Sequence, residues 1–278
     1  LLESDCRDSV WAGDCDTVTF ANCNFSASRW GKVKLSTCTL HECDYSEAEF
    51  NSCSWDTVTI TDMTATNSRF NDCRWFNSSW IKMDFAQVVL SNVSLQQVLL
   101  LECQFSSQDF SAMHLSHCTF NESRFENVQL SNADLSSSNF SKCCLSDCDF
   151  SGAALTQSLF IESRIVKTLF DNANMQGANF QDADISDVSF KQSVLQEAWL
   201  KGATLTHVDF TQATLEYANL SYAKLNACNF KQADCKQTNV HAIIEENTSW
   251  PTGLHGLIQT DPEREKVDQR LNEYGVSS

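Results

Sequence analysis

The chain has 278 residues, 42% of them hydrophobic, and a formal net charge of −17. That length suits one large domain or two ordinary ones, and that charge excludes direct binding to a nucleic-acid backbone. Eight Gly and two Pro are too few for many hairpin turns, which lean on those residues, and no apolar run reaches the roughly 18 residues of a membrane span.

In chain order, residues 1–9 read as a short N-terminal lead-in or cap without the basic-then-apolar pattern of a signal segment. From Val10 to Val240, every residue whose number is a multiple of five is apolar, Cys counted among them. A helix repeats near 3.6 residues and a half-buried strand at 2, so a period of five is neither. The stretch GANFQDADISDVSF shows the pattern, with Phe180, Ile185 and Phe190 in the large column. Two residues before each large side chain stands a slim one, as at Cys43, Cys53, Val58, Ala133, Ala178 and Ala183; Met63, Met83, Gln108 and Met113 are bulky exceptions. The remaining three columns are mostly polar. Each five-residue unit therefore directs one large and one slim side chain inward and three outward.

The units ANFQD, ADISD, ATLTH, ATLEY, ANLSY and AKLNA resemble the pentapeptide repeat family, whose loose consensus is Ala, Asp or Asn, Leu or Phe, then two polar residues. The resemblance spans residues 10–240 and is weaker in the first half, where Cys and Val often replace Ala. It implies an all-β fold, a right-handed quadrilateral β-helix with one pentapeptide per side and four per 20-residue coil. Stacked at strand spacing, about twelve coils make a rod on the order of 57 Å long. The sequence supports the coil independently. One series 20 apart reads Phe150, Phe170, Phe190, Phe210 and Phe230, whereas the series from Leu95 to Leu215 contains no Phe. A bare five-residue repeat would not separate them.

Of the 14 Cys, most occupy the inward columns, and Cys6 and Cys144 read as outward. Buried free Cys packs as a small hydrophobe, and so many thiols point to the cytoplasm or another reducing compartment. Cys23 with Cys43, and Cys53 with Cys73, should stack, but parallel side-chain vectors suit a disulfide poorly. C-x-x-C metal spacing is absent, and the six His mostly fall in outward columns without forming a ligand pair. A Gly-rich phosphate loop and a nucleophile elbow are also lacking, and a filled solenoid has no deep pocket. The expectation is a non-enzyme with no cofactor and no metal.

Residues 241–278 read as a C-terminal cap and helix. ENTSWPTGL resembles the stretch that leaves the last coil in some pentapeptide repeat proteins, which makes Trp250 a candidate plug. TDPEREKVDQRLNEYG carries helix start and stop signals, with Val267, Leu271 and Tyr274 as one apolar stripe for capping the rod or for a homodimer. On the outer columns, Ile81, Leu99, Leu101, Leu159, Ile161 and Trp199 are unexpectedly apolar for outward positions and are candidates for a partner surface; Phe76 and Trp11 add to them. The leading reading is a protein-interaction scaffold whose partner is another protein. The resemblance also implies an alternative, a DNA mimic that inhibits or protects gyrase. Against it, the net charge amounts to roughly one per coil, while duplex DNA carries about three over that height. A further alternative is a β-helix module of a secreted bacterial effector or secretion adaptor, which a chain not beginning with Met permits.

Overall fold

The computed structural model describes residues 1–252 and Leu257. It is an all-β parallel solenoid of about twelve coils. Residues 20 apart pair in register, for example Phe50 with Phe70, Leu145 with Ile165, and Ile185 with Leu205. Each coil has four walls, numbered here by their large side chains: wall I carries Phe105 and Phe125, wall II Phe150 and Phe170, wall III Leu115 and Leu135, wall IV Phe120 and Phe140. The expected C-terminal helix, with Val267, Leu271 and Tyr274, lies outside the described residues.

The large column fills the tube. Phe70, Trp80, Leu130, Phe170 and Phe210 are fully enclosed. Rings on one wall stack from coil to coil, Phe150 on Phe170 at 4.9 Å, Phe170 on Phe190 at 5.0 Å and Phe190 on Phe210 at 5.1 Å. Each buried Leu or Phe contributes roughly 1.5–3 kcal/mol, so stability is distributed along the rod.

The chain turns after every large side chain. The second residue beyond it lies in the left-handed region, as at Asp182 (φ 55°), Asp187 (φ 55°) and Gln192 (φ 57°), with Gln87 after Phe85 an exception. Such angles normally favour Gly, Asn or Asp; here Glu, Lys, Gln, Ser and Thr adopt them as well. The scarcity of Gly and Pro therefore agrees with the absence of hairpins among the described residues, all of whose strand pairings are parallel. It does not mean that tight turns are few.

Corners come in two kinds. In a closed corner, the slim residue donates its N–H to the carbonyl of the preceding large residue, as Ala178 does to Met175 (3.0 Å) and Ala183 to Phe180 (3.1 Å). An open corner lacks that bond and is framed by three-residue strands. Through the first five coils, walls II, III and IV have open corners and carry three five-stranded sheets, while wall I is closed. From Gln104–Ser106 to Ile244–Glu246 the pattern inverts: wall I carries one eight-stranded sheet and the other three walls have closed corners.

Side-chain size follows the corner. Closed corners lead into Ser28, Ala48 and Ser68 early, then Ala133, Ala153 and Ala173; open ones lead into Val33, Cys38 and Val58 early, then Val128, Cys148 and Val188. A closed corner usually holds a methyl or hydroxymethyl group, although Val88, Met113, Cys118 and Cys143 stand at closed corners as well. A Ser there returns its hydroxyl to the same carbonyl, Ser158 to Leu155 and Ser193 to Phe190, both at 2.7 Å. The substitution of Cys and Val for Ala in the first half thus reflects the three open walls.

At the N-terminus the register differs from the expected count. Leu2 pairs with Ala21 and Val10 with Arg29, one residue short of a full coil, while Asp14 pairs with Lys34 at the full spacing. The missing position is the inward slim one between Gly13 (φ 95°) and Asp14. Trp11, expected outside, therefore turns in and stacks on Trp30 at 4.8 Å, while Val10 is 76% exposed. The same shift brings Cys6, also expected outside, against the core. At the other end, Glu245 occupies a large-column position and is exposed.

Replacing Ala178 by Val, which overfills a closed corner, is expected to lower unfolding stability by about 1–3 kcal/mol. Ser158→Ala should change it by no more than about 1.5 kcal/mol. Urea titration followed by circular dichroism distinguishes the two.

Candidate interaction surface

Ile81, Leu99, Leu101, Leu159, Ile161 and Trp199 all project from wall IV. Ile81 pairs with Leu101 on the next coil, and Leu99 shares that strand. Leu159 stands three coils from Leu99, separated by Thr119 and Asn139, and Trp199 a further two beyond Asn179. The six thus form three separate spots along one wall. Five are half-buried between neighbouring outer side chains; Trp199 is 50% exposed.

Other exposed apolar side chains fell outside the sequence reading. Tyr217, Val194, Leu169 and Val89 are exposed alongside Phe76. The available signal was the same for each, a large apolar residue in an outward column. Tyr217 lies on the coil beside Trp199: Glu197, two residues before Trp199, donates its N–H to the carbonyl of Glu216.

Near Phe76 the rod has a seam. Val89–Ser91 and Ser94–Gln96 are the last strands on walls II and III and pair only with the coil before them. Among the described residues, no backbone hydrogen bond joins 86–97 to 105–117. Walls I and IV stay continuous through Asp84 with Gln104 and Leu99 with Thr119. The seam lies where open corners give way to closed ones, so extended strands meet a differently turned coil. Gln108, the polar exception in the slim column, fills part of the break by donating its side-chain amide to the carbonyls of Phe85 (2.8 Å) and Val88 (3.1 Å). Leu90 and Met113 are only partly covered.

The thiols are free throughout, and Cys144 is the exposed one. Burial pushes Cys103, Cys143 and Cys235 up to about 12 and Cys118 and Cys148 up to about 11. No group of three or more His, Cys, Asp or Glu converges among the described residues. His241, against its outward column, is buried beside the Tyr222 ring at 5.3 Å. Trp250 stacks on Phe230 at 4.4 Å, and its indole N–H donates to Glu245 Oε2 at 2.6 Å.

The family model described as a pentapeptide repeat region matches residues 123–200 and 168–240, within the coils whose five-residue units the structure shows. Residues 123–240 thus carry the repeat of the pentapeptide repeat family. Among solved structures, the chain is similar to HetL, a pentapeptide repeat protein from the cyanobacterium Nostoc sp. strain PCC 7120 involved in heterocyst differentiation regulation: 20% identity, 88% of this chain and 91% of HetL covered, TM-score 0.31. It is also similar to QnrB1, a plasmid-mediated fluoroquinolone resistance protein, at 17% identity over 77% of this chain and 91% of that one, TM-score 0.34. A pentapeptide repeat protein of the Arabidopsis thaliana thylakoid lumen shares 30% identity over 36% of this chain and 66% of its own, TM-score 0.22. No curated protein matches the chain.

Two outcomes follow for the thiols. An aromatic disulfide reagent at neutral pH should modify Cys144 first and reach the buried thiols only after denaturation. Because the buried thiols ionise later than unfolded ones, their contribution to stability is complete below pH ~9 and falls as pH rises toward their folded values, by about 1.4 kcal/mol per unit per thiol. Melting temperature measured from pH 7 to 10.5 should drop above pH ~9, and drop less after Cys118→Ala with Cys143→Ala.

Proposed function

We propose that this rod is a non-enzymatic scaffold that binds another protein through its outer columns. The observation carrying this reading is the division of labour in the repeat: the inward columns are consumed by packing, and apolar side chains nevertheless recur outside. Trp199 (50% exposed) and Tyr217 (52%) stand on neighbouring coils. Trp and Tyr are the residue types that anchor protein interfaces. Leu99, Leu101 and Ile81 form a second spot on wall IV.

The gyrase alternative needs acidic charge gathered in one line, as on duplex DNA. Acidic side chains instead occur on every wall, with Asp147 and Asp187 on wall I, Asp149 and Asp209 on wall II, Asp134 and Glu216 on wall III, and Glu122 and Glu162 on wall IV. Basic residues stand among them, and Lys191 and Lys236 pair with Asp209 and Glu216. The free thiols favour a reducing compartment.

The test is a binding comparison against partners captured from the native organism. Trp199→Ser, and separately the pair Leu99→Ser with Leu101→Ser, are expected to release at least one partner while melting as the parent chain does. Retention of every partner by both variants would remove wall IV from consideration. A supercoiling assay should show neither inhibition nor protection of gyrase at micromolar protein, and an effect there would replace the scaffold reading with mimicry.

A further inference from the structure

We propose that the seam between the fifth and sixth coils is a docking site for an extended segment of a protein partner that carries a carboxylate beside an apolar side chain. This rests on the scaffold reading and places its binding site away from the wall IV residues.

Three observations converge there. First, Val89–Ser91 and Ser94–Gln96 are sheet edges inside the rod, whereas every coil boundary from the sixth coil onward keeps pairing on all four walls through Ser249. An edge presents unmatched N–H and C=O groups, the usual template for an added extended chain. Gln108 meets only the carbonyls of Phe85 and Val88. Secondly, the surface is hollow. A depression of about 530 Å³ runs past Arg74, Phe76, Asn92 and Ser94. A second, of about 230 Å³, lies between Leu95–Gln97 and His114–His117, and Phe76 borders both. Phe76, 44% exposed, and the half-covered Leu90 and Met113 supply apolar contact.

Thirdly, the local charge is uneven. Asp72 accepts from the Asn92 amide, Asp109 accepts from the Ser111 N–H, and Asp134 faces His114 at 3.9 Å. Arg74, exposed in the larger depression, has no ion pair among the described residues. An unpaired guanidinium beside an exposed ring suits a carboxylate next to an apolar side chain. The same chemistry disfavours a basic segment, which would meet Arg74.

The probe is a phage-displayed heptapeptide library selected on the full chain, followed by anisotropy with the enriched peptides. Enrichment of Asp or Glu within two residues of Leu, Ile or Phe is expected. Arg74→Glu and Phe76→Ser should each weaken those peptides at least about tenfold, with Trp199→Ser unchanged, and bound peptide should slow amide exchange across residues 89–97. Should Phe76→Ser alter the melting temperature, Arg74→Glu, a change at an exposed position, remains decisive. Absence of any enriched peptide, or enriched peptides indifferent to Arg74→Glu, overturns the proposal. Peptides that lose binding with Trp199→Ser alone overturn the seam and leave the scaffold reading standing.

Discussion

The corner is the constraint on which the rest of this rod depends. At nearly every corner, Gln87 excepted, the backbone turns through a left-handed residue, a conformation that costs roughly 1–2 kcal/mol for most side chains. Dozens of non-glycine residues accept it, from Asn22 (φ 53°) to Asn247 (φ 53°). Two things offset that cost at each turn. One large side chain enters the tube and is sealed from water, and the backbone on either side bonds to the coils before and after. Neither gain exists for an isolated coil, so the turns and the stack stabilise one another.

The corner also governs composition. Closed corners mostly carry Ala or Ser and open ones mostly Val, Cys or Met, with Val88, Met113, Cys118 and Cys143 as larger residues at closed corners. The two ends of the rod solve the same closure problem differently, with three open walls first and one afterwards. Where the solutions meet, two of four walls cannot pair, and the seam at Val89–Gln97 results. The rod therefore has a structural discontinuity even though its sequence register continues without interruption.

Much of this was legible beforehand. The inward positions of Phe180, Ile185 and Phe190 follow from the period alone, because one-in-five burial over so long a stretch admits few alternatives. The 20-residue coil was legible from the Phe-rich and Phe-free series. Trp11 and Cys6 were misplaced because a single missing slim residue near Gly13 shifts everything before it, and Val10 is apolar enough to extend the count by coincidence. His241 lies in an outward column yet is covered by Tyr222, a contact between coils that no single repeat reveals.

The sequence by itself determined the tube: which residues face in, how many form a coil, and where the register runs out. The size of the slim residue even recorded the swap of corners, once read wall by wall. Only the tertiary structure decided what the outside presents. It split six apolar candidates on wall IV into three spots, set Tyr217 on the coil beside Trp199, and opened a seam beside Phe76 and Arg74. The physical reason is that burial acts on every unit alike and so leaves a periodic trace in the sequence, whereas surface neighbours are set by stacking across coils, and pairing fails on two walls together where two corner geometries meet.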